Sequence, residues 1–128
     1  MKKAVSAAVI DCGRILSVRK GSHWILPGGK PEENESDLEC LAREVGEELS
    51  WTKLKGVKYY GKFEGLSPNK GDLMQAEVYF AQIDGPLNPV REGDTIKEKS
   101  WMTREDVEQK YILSDITRKI VDSLKSYF

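Results

Sequence analysis

The sequence is short of cysteine and histidine, and it has no long apolar run. Cys12 and Cys40 are the only two cysteines in 128 residues, and they do not stand in a metal-type spacing. That excludes a disulfide scaffold and predicts free thiols in a reducing, cytoplasmic setting. No stretch approaches the ~18–20 apolar residues of a membrane span. The basic start Met1-Lys2-Lys3 leads into an apolar run that is broken at Asp11 and lacks a cleavage region, so no signal peptide is expected. An excess of either charge is missing too. Lys and Arg number 20, Asp and Glu 21, and the net charge is -1. A protein that coats nucleic acid usually needs a basic stripe, so stable nucleic-acid binding is not expected. Linkers, repeats and low-complexity segments are absent as well. What remains is a length that predicts one domain over residues 1–128, able to bury roughly two thirds of its unfolded surface. Monomer and homodimer are both compatible with it.

The chain alternates between two hydrophobic periods. Ala4–Ile10 and Arg14–Val18 flank the turn Asp11-Cys12-Gly13 and read as a hairpin. Trp24–Leu26 is extended before Pro27, and residues Gly28–Glu33 read as a loop. A helix is expected from about Glu35 or Ser36 to Leu49. Asn34 or Ser36 would cap it, with Leu38, Leu41, Ala42, Val45 and Leu49 on its apolar face. Leu54–Phe63 and Met74–Ile83 read as strands around a loop rich in Gly, Ser, Pro and Asn, and Ile96–Met102 as a further strand. Thr103 and Asp106 form a capping-box pattern for a short helix. Ser114 starts the last helix, whose stripe is Ile116, Ile120, Leu124 and Phe128. This order predicts an α/β/α sandwich around a mixed β-sheet.

The chemistry is concentrated between Gly28 and Glu48. Glu44, Glu47 and Glu48 stand at i, i+3 and i+4, so three carboxylates share one helical face. Each like-charged pair costs a few tenths of a kcal/mol, which is a poor way to stabilise a helix. A hard divalent cation with oxygen ligands would remove that cost. Gly28-Gly29 just upstream allows backbone to approach a ligand closely.

This spacing resembles the Nudix box, G-x5-E-x7-R-E-U-x-E-E-x-G-U, with U a bulky apolar residue. Gly29, Glu35, Arg43, Glu44, Val45, Glu47 and Glu48 match in register, and Trp51 takes the final U position. Ser50 stands where the family usually has Gly. Trp24–Lys30 and Lys97–Met102 are similar to the family's flanking segments. The resemblance implies the same sandwich fold and hydrolysis of phosphoanhydrides with Mg²⁺, for which Mn²⁺ may substitute. It implies metal ligation by the Gly28 carbonyl, Glu44, Glu47 and Glu48, the last two as principal ligands. Arg43 is then the arginine that orients the catalytic glutamate, while Gly29 and Glu35 support the loop and helix. Short single-domain members of MutT type split nucleoside triphosphates, sometimes oxidised ones, into the monophosphate and pyrophosphate. ADP-ribose or nucleotide-sugar cleavage is the alternative within the family, allowed by Ser67-Pro68. A non-catalytic nucleotide-binding module is the alternative outside it. Such modules usually lose box glutamates, and this chain keeps all of them.

Other assignments stay open. The family's further ligand or base falls at Thr95 here, which leaves Glu98 or Glu92 as substitutes or as surface carboxylates. Arg19, Lys20 and Lys30 could draw in a polyphosphate or be ordinary surface charge. His23 reads first as a surface histidine. Asp115 lies where MutT-type members place a polar reader of the purine edge, but an acid in the first turn of a helix is favourable anyway, and that reading is preferred. Ser50 in a left-handed conformation would cost about 1 kcal/mol and alter the loop without disabling the site. The aromatics are core candidates first, with one or two available to stack on a base.

Overall fold

A computed structural model of the chain describes residues 2–67, 71–89, 96 and 98–128. The elements run β1 (Lys2–Asp11), β2 (Arg14–Lys20), β3 (His23–Ile25), β4 (Gly28–Gly29), α1 (Asp37–Glu48), β5 (Leu54–Leu66), β6 (Leu73–Ile83), β7 (Lys99–Met102), α2 (Arg104–Gln109) and α3 (Asp115–Ser123). A 3-10 turn at Lys125–Tyr127 follows.

The hairpin forms where expected. Cys12 and Gly13 both take positive φ, 51° and 74°, the turn geometry whose twist suits two adjoining strands. Ile10 then faces Ile15, and Asp11 faces Arg14. The sheet runs β3-β2-β1-β6-β5, with β4 also on β1 and β7 also on β2. β1 and β6 are parallel, and the other ladders are antiparallel, so the sheet is mixed.

Alternation along β1 sorts its side chains into two cores. Val5, Ala7 and Val9 pack with Cys40, Leu41, Val45 and Leu49 of the α1 region. Ala4 and Ala8 belong to the other core, with Val107 of α2 and Ile116, Ile120 and Val121 of α3. Helices thus cover both faces, and the α/β/α sandwich read from the sequence is the fold. A fully buried aliphatic side chain contributes about 1.5–3 kcal/mol. Leu41, Val45 and Leu49 together therefore outweigh any single helix cap, worth about 1 kcal/mol, in holding α1 to the sheet.

Some expectations need correction. Leu38 is 55% exposed and Ala42 is also exposed, because α1 meets the sheet along a narrow stripe in which Cys40 takes the place assigned to them. Gly28-Gly29 is a short ladder on β1 and not free loop. Phe128 lies beyond the last helix, yet it still packs against the α3 core. Of the cap candidates, Ser36 closes α1: its hydroxyl accepts from Glu39 N, and the Glu39 side chain accepts from Ser36 N. Among the described residues, no helix is long and apolar enough to cross a membrane.

Candidate active site

The site begins with the glycine pair. Val5 is paired with Gly29 and Ser6 with Gly28. A Cβ on Gly28 would run into the Val5 carbonyl and come within 2.7 Å of Ser6 Cα. A Cβ on Gly29 would occupy the space of the Glu44 carboxyl group. Glycine at 28 is required for the pairing with β1, and glycine at 29 leaves the Glu44 carboxyl in its place. The Gly28 N–H then donates to Glu48 Oε1 at 2.6 Å, and the Cys40 thiol lies 3.6 Å from the Gly29 carbonyl.

Arg43 ties the helix to the loop before it. Its Nε and Nη2 donate to the two Glu35 carboxylate oxygens at 2.7 and 2.9 Å, a bidentate pair. Nη1 donates to Glu44 Oε1 at 2.6 Å, and Nη2 also reaches the Lys30 carbonyl at 3.1 Å. The Arg43 guanidinium, helped by the Glu32 N–H, holds the Glu35 carboxyl down at about 2. One guanidinium therefore fixes both the box's first glutamate and Glu44.

Glu48 has a different environment. It is 8% exposed, and burial pushes its carboxyl up to about 8. The Gly28 N–H and the Lys20 charge oppose that rise, while Glu44 and Glu47 add to it. Glu47 is exposed. The three glutamates share a helical face, but among the described residues no three His, Cys, Asp or Glu side chains converge as a metal cluster. A divalent cation nevertheless fits the donor chemistry. The groups are hard oxygens beside a glycine pair, and the burial that keeps a proton on Glu48 is what a neighbouring cation would reverse.

Beside these groups lies a cleft of about 370 Å³, which runs from Gly28, Gly29 and Glu44 to α3. Ala4, Met74, Ala76, Ile116 and Ile120 give it apolar walls, and Ser6 and Thr117 add hydroxyls. Among the described residues, Lys2, Lys20 and Lys30 line it with Glu44 as the one carboxylate, a balance that favours an anion. Lys2 is held by Asp72 at 2.8 Å.

Several sequence candidates lie elsewhere. Arg19 and Glu98 pair with each other at 2.5 Å, and neither lines the cleft. Asp115 accepts the Leu66 N–H at 2.8 Å and pairs with Lys119, so its carboxylate ties α3 to the end of β5. Glu92 lies outside the described residues. His23 contacts Ser22 and does not line the cleft. Trp24 packs edge-on against Tyr111, and Tyr60 packs among Phe63, Phe80 and Tyr127, away from the cleft lining. Sequence reading missed Lys2, Ser6 and Thr117. Ser6 carried a signal, as a polar residue inside an otherwise apolar strand.

A mixed sheet between helices, with a carboxylate helix closed on a glycine pair beside a lysine-lined cleft, defines an enzyme that handles phosphate. The chain matches the NUDIX domain family over residues 1–124, and it belongs to that family. No curated protein matches the sequence. Among solved structures it is similar to the MutT NUDIX hydrolase from Burkholderia pseudomallei, with 26% identity and a TM-score of 0.75, covering 94% of this chain and 95% of that one. It is also similar to a NUDIX hydrolase from Nitrosomonas europaea at 19% identity and a TM-score of 0.79, over 98% and 89% of the two chains. The Bacillus subtilis pyrophosphohydrolase shares 24% identity at a TM-score of 0.72, over 98% and 79%. As a member of that family the chain is a hydrolase of phosphoanhydride bonds that acts on nucleoside diphosphate-linked substrates.

Proposed function

We propose that residues 1–128 form one catalytic domain, a Mg²⁺-dependent pyrophosphohydrolase of nucleoside triphosphates that releases the nucleoside monophosphate and pyrophosphate, with Mn²⁺ able to substitute. The observation that carries this reading is the closure of Glu44 and Glu48 on Gly28-Gly29 at one end of the lysine-lined cleft. Glu44, Glu47, Glu48 and the Gly28 carbonyl would hold the metal. When bound, Mg²⁺ supplies charge that offsets the phosphoryl oxygens and lowers the pKa of an attacking water. Arg43 holds Glu44 in place and, through Glu35, fixes the loop that carries Lys30. Lys20 and Lys30 draw the phosphates toward the carboxylate end, and the apolar walls take the nucleoside. Phosphoryl transfer asks the protein mainly for positioning and charge, which is what these residues offer.

The test is product release with Mg²⁺ across ordinary and oxidised nucleoside triphosphates, ADP-ribose, nucleotide sugars and dinucleoside polyphosphates, with Glu48→Gln as the control. Turnover of triphosphates that disappears in the variant is the expected result. Preference for ADP-ribose or a nucleotide sugar would replace the substrate class and keep the site. Nucleotide binding by calorimetry with no turnover on any compound would replace the enzyme with a binding module.

A further inference from the structure

The end of α1 is built in a way its sequence does not explain. Ser50 and Trp51 take φ of 53° and 61°, two consecutive non-glycine residues in the left-handed region, which L-residues adopt at a steric cost. The turn is closed by Trp51 N–H to the Gly46 carbonyl at 2.6 Å and Thr52 N–H to the Leu49 carbonyl at 3.1 Å. The Trp51 ring lies over Gly46, where a Cβ would come 2.9 Å from it. Glycine at position 50 would make this turn freely, but it would offer no side-chain oxygen. Ser50 is 1% exposed, and its hydroxyl accepts a hydrogen bond from the Lys99 ammonium at 2.9 Å. Lys99 also donates to the Asn88 carbonyl at 3.0 Å. Asn88 in turn donates from Nδ2 to the Ser50 carbonyl and from its backbone N–H to Thr52 Oγ1, both at 2.9 Å.

The charge fits the place. α1 ends on Glu47-Glu48 with no basic residue in its last turn. A helix C-terminus already carries partial negative charge, and the exposed Glu47 carboxylate adds to it. Lys99 brings a cation to this end from β7.

We propose that Lys99, Ser50 and Asn88 form a clasp that sets the carboxylate-bearing end of α1 against β7, which makes Ser50 and Lys99 positioning residues for hydrolysis. The hydroxyl at position 50 is then the reason the chain accepts a strained turn. The role in hydrolysis rests on the metal-site reading of Glu47 and Glu48 proposed above. The clasp itself does not, since it concerns the metal-free fold.

The test uses the full chain with Ser50→Gly, Lys99→Met, the double variant, and Lys99→Arg. Two readouts are taken: amide hydrogen exchange at Trp51 and Thr52 without metal, and the Mg²⁺ midpoint and kcat on the best triphosphate. In Lys99→Met, exchange should quicken about tenfold, the Mg²⁺ midpoint should rise and kcat fall by roughly 10-fold, the low end for losing a group that orients metal ligands. The KM for nucleotide at saturating Mg²⁺ should stay within about twofold, since the clasp does not line the cleft. Ser50→Gly should show the same loss of kcat less what the relaxed turn returns, the double variant should be no worse than Lys99→Met, and Lys99→Arg should recover part of the loss. A Lys99→Met protein with parental exchange overturns the clasp, since that variant leaves the turn's backbone unchanged. Faster exchange with unchanged Mg²⁺ midpoint and kcat overturns the positioning role and leaves only a structural one. Absence of turnover in the parent protein would remove the hydrolase reading and the positioning role together, while the exchange rates would still decide the clasp.

Discussion

The two ends of α1 are closed by different means. The first end is capped locally: Ser36 and Glu39 cap each other, and Glu35 meets Arg43 eight positions on, with Lys3 and Tyr79 adding bonds to Asp37 from the sheet. The last end is turned by its own backbone and then braced from a distance: Asn88 and Lys99 reach Ser50 and Thr52 across 36 to 49 positions. Glu44 is held from the local side by Arg43, whereas Glu48 sits buried near the braced side. Both carboxylates are thus held from nearby in the sequence, Glu44 by Arg43 and Glu48 by Gly28, while the turn that follows them is braced from far along the chain.

The sharpest way to test that division is Glu48→Gln. It should lower kcat on the best triphosphate by on the order of 10²–10³, the size of removing one preorganised electrostatic group, while leaving the protein folded. Steady-state rates with Mg²⁺ and a circular dichroism spectrum check both parts. Arg43→Ala attacks the local side and should cost roughly 10–100-fold in the Mg²⁺ midpoint or kcat/KM, because Glu35 and Glu44 lose one common partner. Arg43→Lys should not restore it, since an ammonium cannot make the two-pronged contact to Glu35. Rates for the two variants side by side would break the comparison if they proved equal to the parent.

A third test concerns pH. Glu48 binds its proton up to about 8 in the folded protein and up to its ordinary 4.5 in the unfolded chain. Between these values the folded state holds a proton that the unfolded state has released. The metal-free protein should lose stability as pH rises through that window, by at most about 1.4 kcal/mol per pH unit. Urea denaturation at several pH values measures the slope, and Glu48→Gln should flatten it. The smallest effect belongs to the first cap. Ser36→Ala should cost about 1 kcal/mol of stability, read as a lower urea midpoint, with activity within about twofold of the parent. A large loss of activity there would mean that the two ends are coupled.

Legibility followed the same division. The Cys12-Gly13 turn, the Thr103 capping box, the Ser114 cap and the spacing from Gly29 to Glu48 all depend on neighbours a few positions apart, so the sequence displayed them. The same local logic gave the sandwich, since each element announced its own period. What depended on distant partners stayed hidden. Leu38 looks like a core residue by spacing, and only the packing of α1 in the fold decides that it is exposed. Asp115 had two readings, and the Leu66 N–H that claims it lies 49 positions away. Glu98 looked available until Arg19 was found opposite it. Ser50 could be recognised as a departure from the pattern, but its reason lies in Lys99.

The one parallel ladder sets an order of events for the growing chain. Residues from Lys2 to Val9 pair with residues from Met74 to Ala81, each partner 72 positions further along. Contacts of such separation cost loop entropy before they return any stability, and they slow folding. During synthesis the glycine pair and the carboxylate helix leave the ribosome well before β6, whose Tyr79, Ala81 and Ile83 complete the core beneath that helix. The part of the molecule most recognisable in its sequence is thus among the last to acquire its final shape.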